Sequence, residues 1–179
     1  MRNKLLKIFL SLVLVSSQAL HAGFAPDLTK RAKEAVAQFK KKDKSMSKFF
    51  NGAAGYAVFP NVGKGGLGIG GMNGDGVVFE KGKAIGYTEL SAVTIGLQAG
   101  GQSFIEIVFF EDKKVLDNFK NGDLKFNAQV SAVAVTAGAS ADANYKDGVS
   151  VFTMAKGGLM YEASVGGQKF SYEPIGKKK

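Results

Sequence analysis

The chain has no cysteine, no tryptophan and a single histidine, His21, in 179 residues. Without cysteine there is no disulfide, no thiolate nucleophile and no sulfur ligand for a metal. His21 lies in a leader-like stretch, so a chain that sheds that stretch also sheds its only imidazole. Ser-His and Cys-His nucleophiles and His/Cys metal sites are then excluded, and no cofactor is expected. Stability must come from a packed core. Proline is also scarce, at three residues, and no low-complexity linker divides the sequence. A single domain over residues 23–179 is expected, long enough to bury roughly 70% of its unfolded surface.

Met1 to Ala22 reads as a secretory signal peptide. Arg2, Lys4 and Lys7 form a basic start. Leu5 to Val15 is an apolar run broken only by Lys7 and Ser11, and Leu20-His21-Ala22 is an acceptable cleavage site. The run is shorter than the about 20 residues that span a bilayer. No cysteine follows it, which argues against a lipid-anchored lipoprotein. The expected location is periplasmic or secreted, at the periphery of the cell envelope. Cleavage would lower the formal charge from +9 to +6, because residues 1–22 hold three basic residues and no acid. For an exported protein, a basic balance points to anionic lipid before nucleic acid.

Glycine is abundant, at 24 residues. Lys64-Gly65-Gly66-Leu67-Gly68-Ile69-Gly70-Gly71 alternates Leu67 and Ile69 with glycine, the side-chain period of a strand. Its other face is bare, so another backbone or a ring can approach closely. Gly100-Gly101-Gln102-Ser103-Phe104 and Gly166-Gly167-Gln168-Lys169-Phe170 repeat the theme. Gly66-Leu67-Gly68-Ile69-Gly70-Gly71 also satisfies a dinucleotide pattern, but that loop must open a helix. Here Asn73-Gly74-Asp75-Gly76 follows, a turn sequence, so nucleotide binding is not expected.

Asp27 is a good N-cap for a helix with apolar positions Leu28, Ala32, Ala35, Val36, Phe39, Met46, Phe49 and Phe50. Lys40 to Asp43 marks a kink or break, and Gly52 a stop. Short strands are expected at Tyr56–Phe59, ended by Pro60, at Lys64–Met72, Val77–Phe79, Ala84–Thr88 and Val93–Ala99. Turns are placed at Asn73–Gly76 and Lys81–Lys83. Phe104–Phe110 is nearly all apolar and is expected to be covered on both faces. Glu111–Phe119 reads as a second helix, and Gln129–Thr136 as a strand continuing extended to Ala143. Val149–Phe152, Leu159–Val165 and Phe170–Tyr172 complete the strands, with Lys177–Lys179 a basic tail. Lys64-Gly65-Gly66-Leu67 recurs as Lys156-Gly157-Gly158-Leu159, and Asp75-Gly76-Val77 as Asp147-Gly148-Val149. Duplication and a shared need for glycine turns explain this equally well.

Two features could carry function. Glu106 and Glu162 sit among apolar residues, where burial would raise a carboxyl pKa as in a catalytic acid. The plainer reading places them on a wet face or beside a lysine, and no catalytic residue is assigned. The lysine-rich first helix is the better binding candidate. Lys40, Lys41, Lys42, Lys44 and Lys48 could hold anionic headgroups while Phe49 and Phe50 enter the interface. The plainer reading docks the apolar face on the sheet and leaves the lysines solvated.

Ala57-Val58-Phe59-Pro60, Lys64–Gly70, Ser91–Gln102, Phe109-Phe110 and Lys156-Gly157-Gly158-Leu159-Met160 together resemble the SYLF domain family, over roughly Lys30 to Tyr172. The resemblance implies lipid binding, through a basic N-terminal segment in eukaryotic members that take phosphoinositides, and actin-filament binding in some of them. An export signal would make phosphatidylglycerol or cardiolipin the accessible anions. The expected fold is α+β: a mostly antiparallel, glycine-rich sheet of barrel-like tendency, with an N-terminal amphipathic helix and a second short helix. The expected function is non-enzymatic binding of anionic phospholipid membranes. The alternative is a structural or protein-interaction module of the envelope with a protein partner.

Overall fold

The computed structural model describes residues 27–124, 131–157 and 167–176. The expected signal peptide 1–22, the expected strand Leu159–Val165, Glu162 and the tail Lys177–Lys179 lie outside them.

The first helix, α1, covers residues 27–42. Ala32, Ala35 and Phe39 fall on one side of it, at helical spacing, and are buried. Leu28 and Val36 are half-buried beside them, while Lys30, Lys33, Lys40, Lys41 and Lys42 are exposed. The helix breaks at Asp43, passes through a 3-10 turn at Lys44–Met46 and resumes as α2, Ser47–Gly52. Met46 and Phe49 are buried.

Two long strands, β1 (Gly55–Glu80) and β2 (Lys83–Phe110), then pair antiparallel along their whole length. The series of short strands expected here is corrected: one bent hairpin replaces them. Pro60 does not end β1, because it sits where the register shifts between Phe59 and Val62. β1 is also an edge strand, where a missing N–H is tolerated. Asn73–Gly76 is not a turn either; its residues pair with Ser91, Leu90, Glu89 and Thr88. Its glycines serve close approach instead. A Cβ at Gly76 would lie 2.6 Å from the Phe59 ring, and one at Gly74 2.8 Å from the Asn61 carbonyl oxygen. The hairpin therefore doubles back on itself. The bend falls in the glycine stretch, at the register shift between Leu67 and Gly68 and beside Gly66 with φ 154°. The true hairpin turn is Lys81-Gly82, with φ 49° and 75°, the left-handed pair that a two-residue turn requires.

β2 also pairs with β4 (Val149–Ala155), β5 (Lys169–Phe170) and β6 (Glu173–Pro174), all antiparallel. β3 (Ala132–Ala134) joins β4 in parallel. The α+β class and the mostly antiparallel sheet are as expected. Among the described residues the sheet is open, running β1-β2-β4-β3, so the barrel-like closure is corrected.

Residues 104–110 of β2 alternate between two cores, as their apolar run requires. Phe104, Val108 and Phe110 face α3 (Lys113–Lys120) through Leu116 and Phe119. Ile105, Ile107 and Phe109 face Phe39, Met46 and Phe49 of the N-terminal helices. Each fully buried Phe contributes about 2–3 kcal/mol of apolar transfer. Asp112 caps α3 by accepting from the Val115 N–H at 2.9 Å. The alanine-rich tract does not stay extended beyond residue 136. It turns through Gly138, φ 80°, because Ser140 is drawn inward by a partner described below. The two Asp-Gly-Val segments differ as well. Asp147-Gly148 is a left-handed turn pair with φ 52° and 78°, whereas Asp75-Gly76 lies inside β1.

Candidate functional site

The lysine-rich break between α1 and α2 is built around Asp43. This carboxylate is 2% exposed. It accepts from the Ser45 N–H at 2.9 Å and the Ser45 hydroxyl at 2.5 Å. It also accepts from the Ser140 N–H at 2.8 Å and the Ser140 hydroxyl at 2.7 Å. Burial pushes its pKa up, but the bonds from Ser45 and Ser140 outweigh it and hold the carboxyl well below the usual range. Asp43 is thus a fixed anion that ties the helix break to the turn at 137–142.

Around that anchor the candidate lysines divide. Lys40, Lys41, Lys42 and Lys44 are exposed. The Lys40 ammonium also rests 4.6 Å from the centroid of the Phe50 ring, a cation–π contact. Lys48 is exposed but engaged. It donates to the carbonyls of Ala141 at 2.6 Å and Ala143 at 3.0 Å and lies 5.0 Å over Phe49. The two candidate aromatics also part. Phe49 is 2% exposed and packs on Phe109, Tyr145 and Phe152. It is a core residue here, so the expectation that it inserts into a bilayer is corrected: its helical spacing fits the inward face. Phe50 is half-buried, edge-on to Phe109 at 4.9 Å and Tyr56 at 5.3 Å.

Glu106 is neither on a wet face nor beside a lysine. It is fully buried and accepts from Gln168 Nε2 at 3.0 Å. Thr153 stands opposite it on β4. Burial pushes its pKa up to about 8, against which the Gln168 bond acts only weakly. Glu106 Oε1, Gln168 Oε1 and Thr153 Oγ1 are buried without hydrogen-bond partners. A carboxyl with no exposure offers a substrate no access. Gln168, the anchor of the second Gly-Gly-Gln segment, gave no sign of this role in the sequence.

The glycine hairpin lines a cleft of about 590 Å³ with Lys64, Gln102, Ser103 and Lys156 on its walls. Lys156 donates to Asn61 Oδ1 at 3.2 Å, which also accepts from the Ser103 hydroxyl at 2.7 Å. Burial, and then the charge of Arg31, lower the Lys156 pKa. Among the described residues no group of three His, Asp or Glu could hold a metal ion. No helix among them is long and apolar enough to cross a membrane.

The family model described as Ysc84, Las17-binding protein actin regulator, matches residues 91–174. Beta cell expansion factor A of Aeromonas veronii is 30% identical over 128 residues, 70% of this chain and 48% of that protein. Residues 91–174 thus carry a match to the SYLF family, to which the Ysc84 model corresponds. The chain spans about half the length of the Aeromonas relative. The SYLF match begins within β2 and ends in β6, so it takes in Glu106, Gln168 and Lys156. The lysine-rich break precedes it. The description of the matched family is that of binding and regulatory proteins.

Proposed function

We propose that this protein is an exported, non-enzymatic binder of anionic phospholipid surfaces at the cell envelope. The observation that carries the reading is the cluster Lys40, Lys41, Lys42 and Lys44, exposed around a break that Asp43 locks to the body of the fold. A locked turn loses little conformational freedom when its ammonium groups meet headgroups, and each lysine near the surface contributes about 1 kcal/mol. Lys48 supports the turn from its carbonyl contacts, Phe50 is half-buried beside it, and Phe49 stays in the core. The signal-like segment 1–22 supports export, which makes phosphatidylglycerol and cardiolipin the accessible anions.

The test is flotation with vesicles of phosphatidylglycerol and phosphatidylcholine against phosphatidylcholine alone. The expected result is recovery with the anionic vesicles only, and loss of recovery on charge reversal at Lys40–Lys42. Equal recovery from both, or no effect of the reversal, contradicts the reading. The family description as an actin regulator that binds Las17 favours a second reading, docking of an envelope protein. A discrete complex in pull-down from envelope extracts, without vesicle recovery, would select it.

A further inference from the structure

We infer that the bend of the β1–β2 hairpin enters the membrane interface, with Ile69 and Val93 among acyl chains and the adjoining Lys64–Lys156 cleft on a lipid phosphodiester. This rests on the anionic-surface reading above but uses a surface which that reading does not.

Ile69 is 72% exposed and Val93 75%; among the described residues the one other exposed large apolar side chain is Ile175, at 45%. The register places them together. Val93 pairs with Gly71, and Ile69 lies two residues before Gly71, so both point to one face. Gly70 and Gly71 beside them carry no side chain that could cover them. Gly71 also lines the cleft, so the apolar pair stands at its rim. The cleft's volume of about 590 Å³ lies within the range of small-ligand sites. Its described lining holds Lys64 and Lys156 and no acid. Asn61 Oδ1 orients the Lys156 ammonium. Of the hairpin's acids, Glu106 is buried and Asp75 and Glu89, opposite one another in the register, line the neighbouring groove with Lys169.

An exposed aliphatic pair edged by uncompensated cations suits an anionic bilayer, where apolar atoms go inward and ammonium groups meet phosphate. It suits a second copy poorly. A two-fold contact through the same face would set one cationic cleft against another.

The absence of tryptophan makes Ile69→Trp a reporter of that one position. With phosphatidylglycerol vesicles its emission should shift to the blue and be quenched by brominated acyl chains. Val93→Trp should behave alike if the first variant folds poorly. Lys64→Glu with Lys156→Glu should cut recovery on those vesicles about tenfold while leaving the thermal midpoint in place. Soluble glycerol phosphate at matched phosphate concentration should leave the emission unmoved. Flotation of the variant with unshifted, unquenched emission overturns the inference and leaves the lysine-turn reading standing. A concentration-dependent shift without vesicles assigns the face to a second copy and overturns it. A full shift with glycerol phosphate alone makes the cleft a free-phosphate site, and likewise overturns it. If the wild-type chain does not float at all, the underlying reading fails first.

Discussion

Replacing Glu106 by glutamine should stabilise the protein at neutral pH and remove a pH dependence of known sign. The carboxyl titrates near 4.5 when solvated and at about 8 in the fold, because burial disfavours its charge. The folded state therefore holds the proton more tightly than the unfolded one. Glu106 costs nothing below pH 4.5, and its cost grows as the pH rises to about 8. At about 1.4 kcal/mol per pH unit, that is about 3 kcal/mol at pH 7 and about 5 kcal/mol above pH 8. Glutamine carries no such charge. Its carbonyl can still accept from Gln168 Nε2, and its amide can donate to Gln168 Oε1 or Thr153 Oγ1, both unpartnered in the wild type. Urea unfolding of both proteins at pH 4, 7 and 9 isolates the effect, since other groups cancel in the difference. The two should be nearly equal at pH 4 and diverge upward in pH in favour of the variant. A variant less stable than wild type at pH 7, or curves that stay parallel, would refute the argument.

Asp43 has the opposite sign. Its folded pKa lies below the ordinary 3.8, so its contribution is full above that value and is lost on acidification. Asp43→Asn should lower stability at pH 7 by about 1–3 kcal/mol, since an amide cannot accept at both positions from Ser45 and Ser140, and the gap in thermal midpoint should shrink by pH 3. Gly76→Ala should cost about 1–3 kcal/mol by driving a methyl into the Phe59 ring and the Val58 carbonyl. Gly52→Ala, where a Cβ meets nothing within 4 Å, should stay within about 0.5 kcal/mol. Lys113→Ala breaks only an exposed pair with Asp117 at 3.2 Å and should move unfolding by less than about 0.5 kcal/mol.

What the sequence made legible were its periodic segments. Ala32, Ala35 and Phe39 announced the inward face of α1, and the apolar run 104–110 a strand covered on both sides. The pattern over Glu111–Phe119 announced α3, which runs Lys113–Lys120 behind the Asp112 cap. Glycine misled, because one residue type serves two purposes. Lys81-Gly82 turns the chain, while Gly74 and Gly76 admit a neighbouring limb, and only tertiary contact separates the cases. Asn73–Gly76 therefore looked like a turn and is a strand. At the site, the lysines were visible, but the function of Asp43 was not, since its partner Ser140 lies 97 residues away. Phe49 and Phe50 are adjacent, yet helical geometry turns one into the core and leaves the other half-buried. The exposure of Ile69 and Val93 depends on a bend no local pattern encodes.

Adhesion through exposed lysines is an electrostatic claim, and ionic strength probes it most directly. The protein would be floated with phosphatidylglycerol vesicles from 0.1 M to 1 M salt. The Debye length falls from about 10 Å to about 3 Å over that range, so recovery should be high at the low end and largely lost at the high end. Recovery that ignores salt, or that is absent at 0.1 M, would contradict the account.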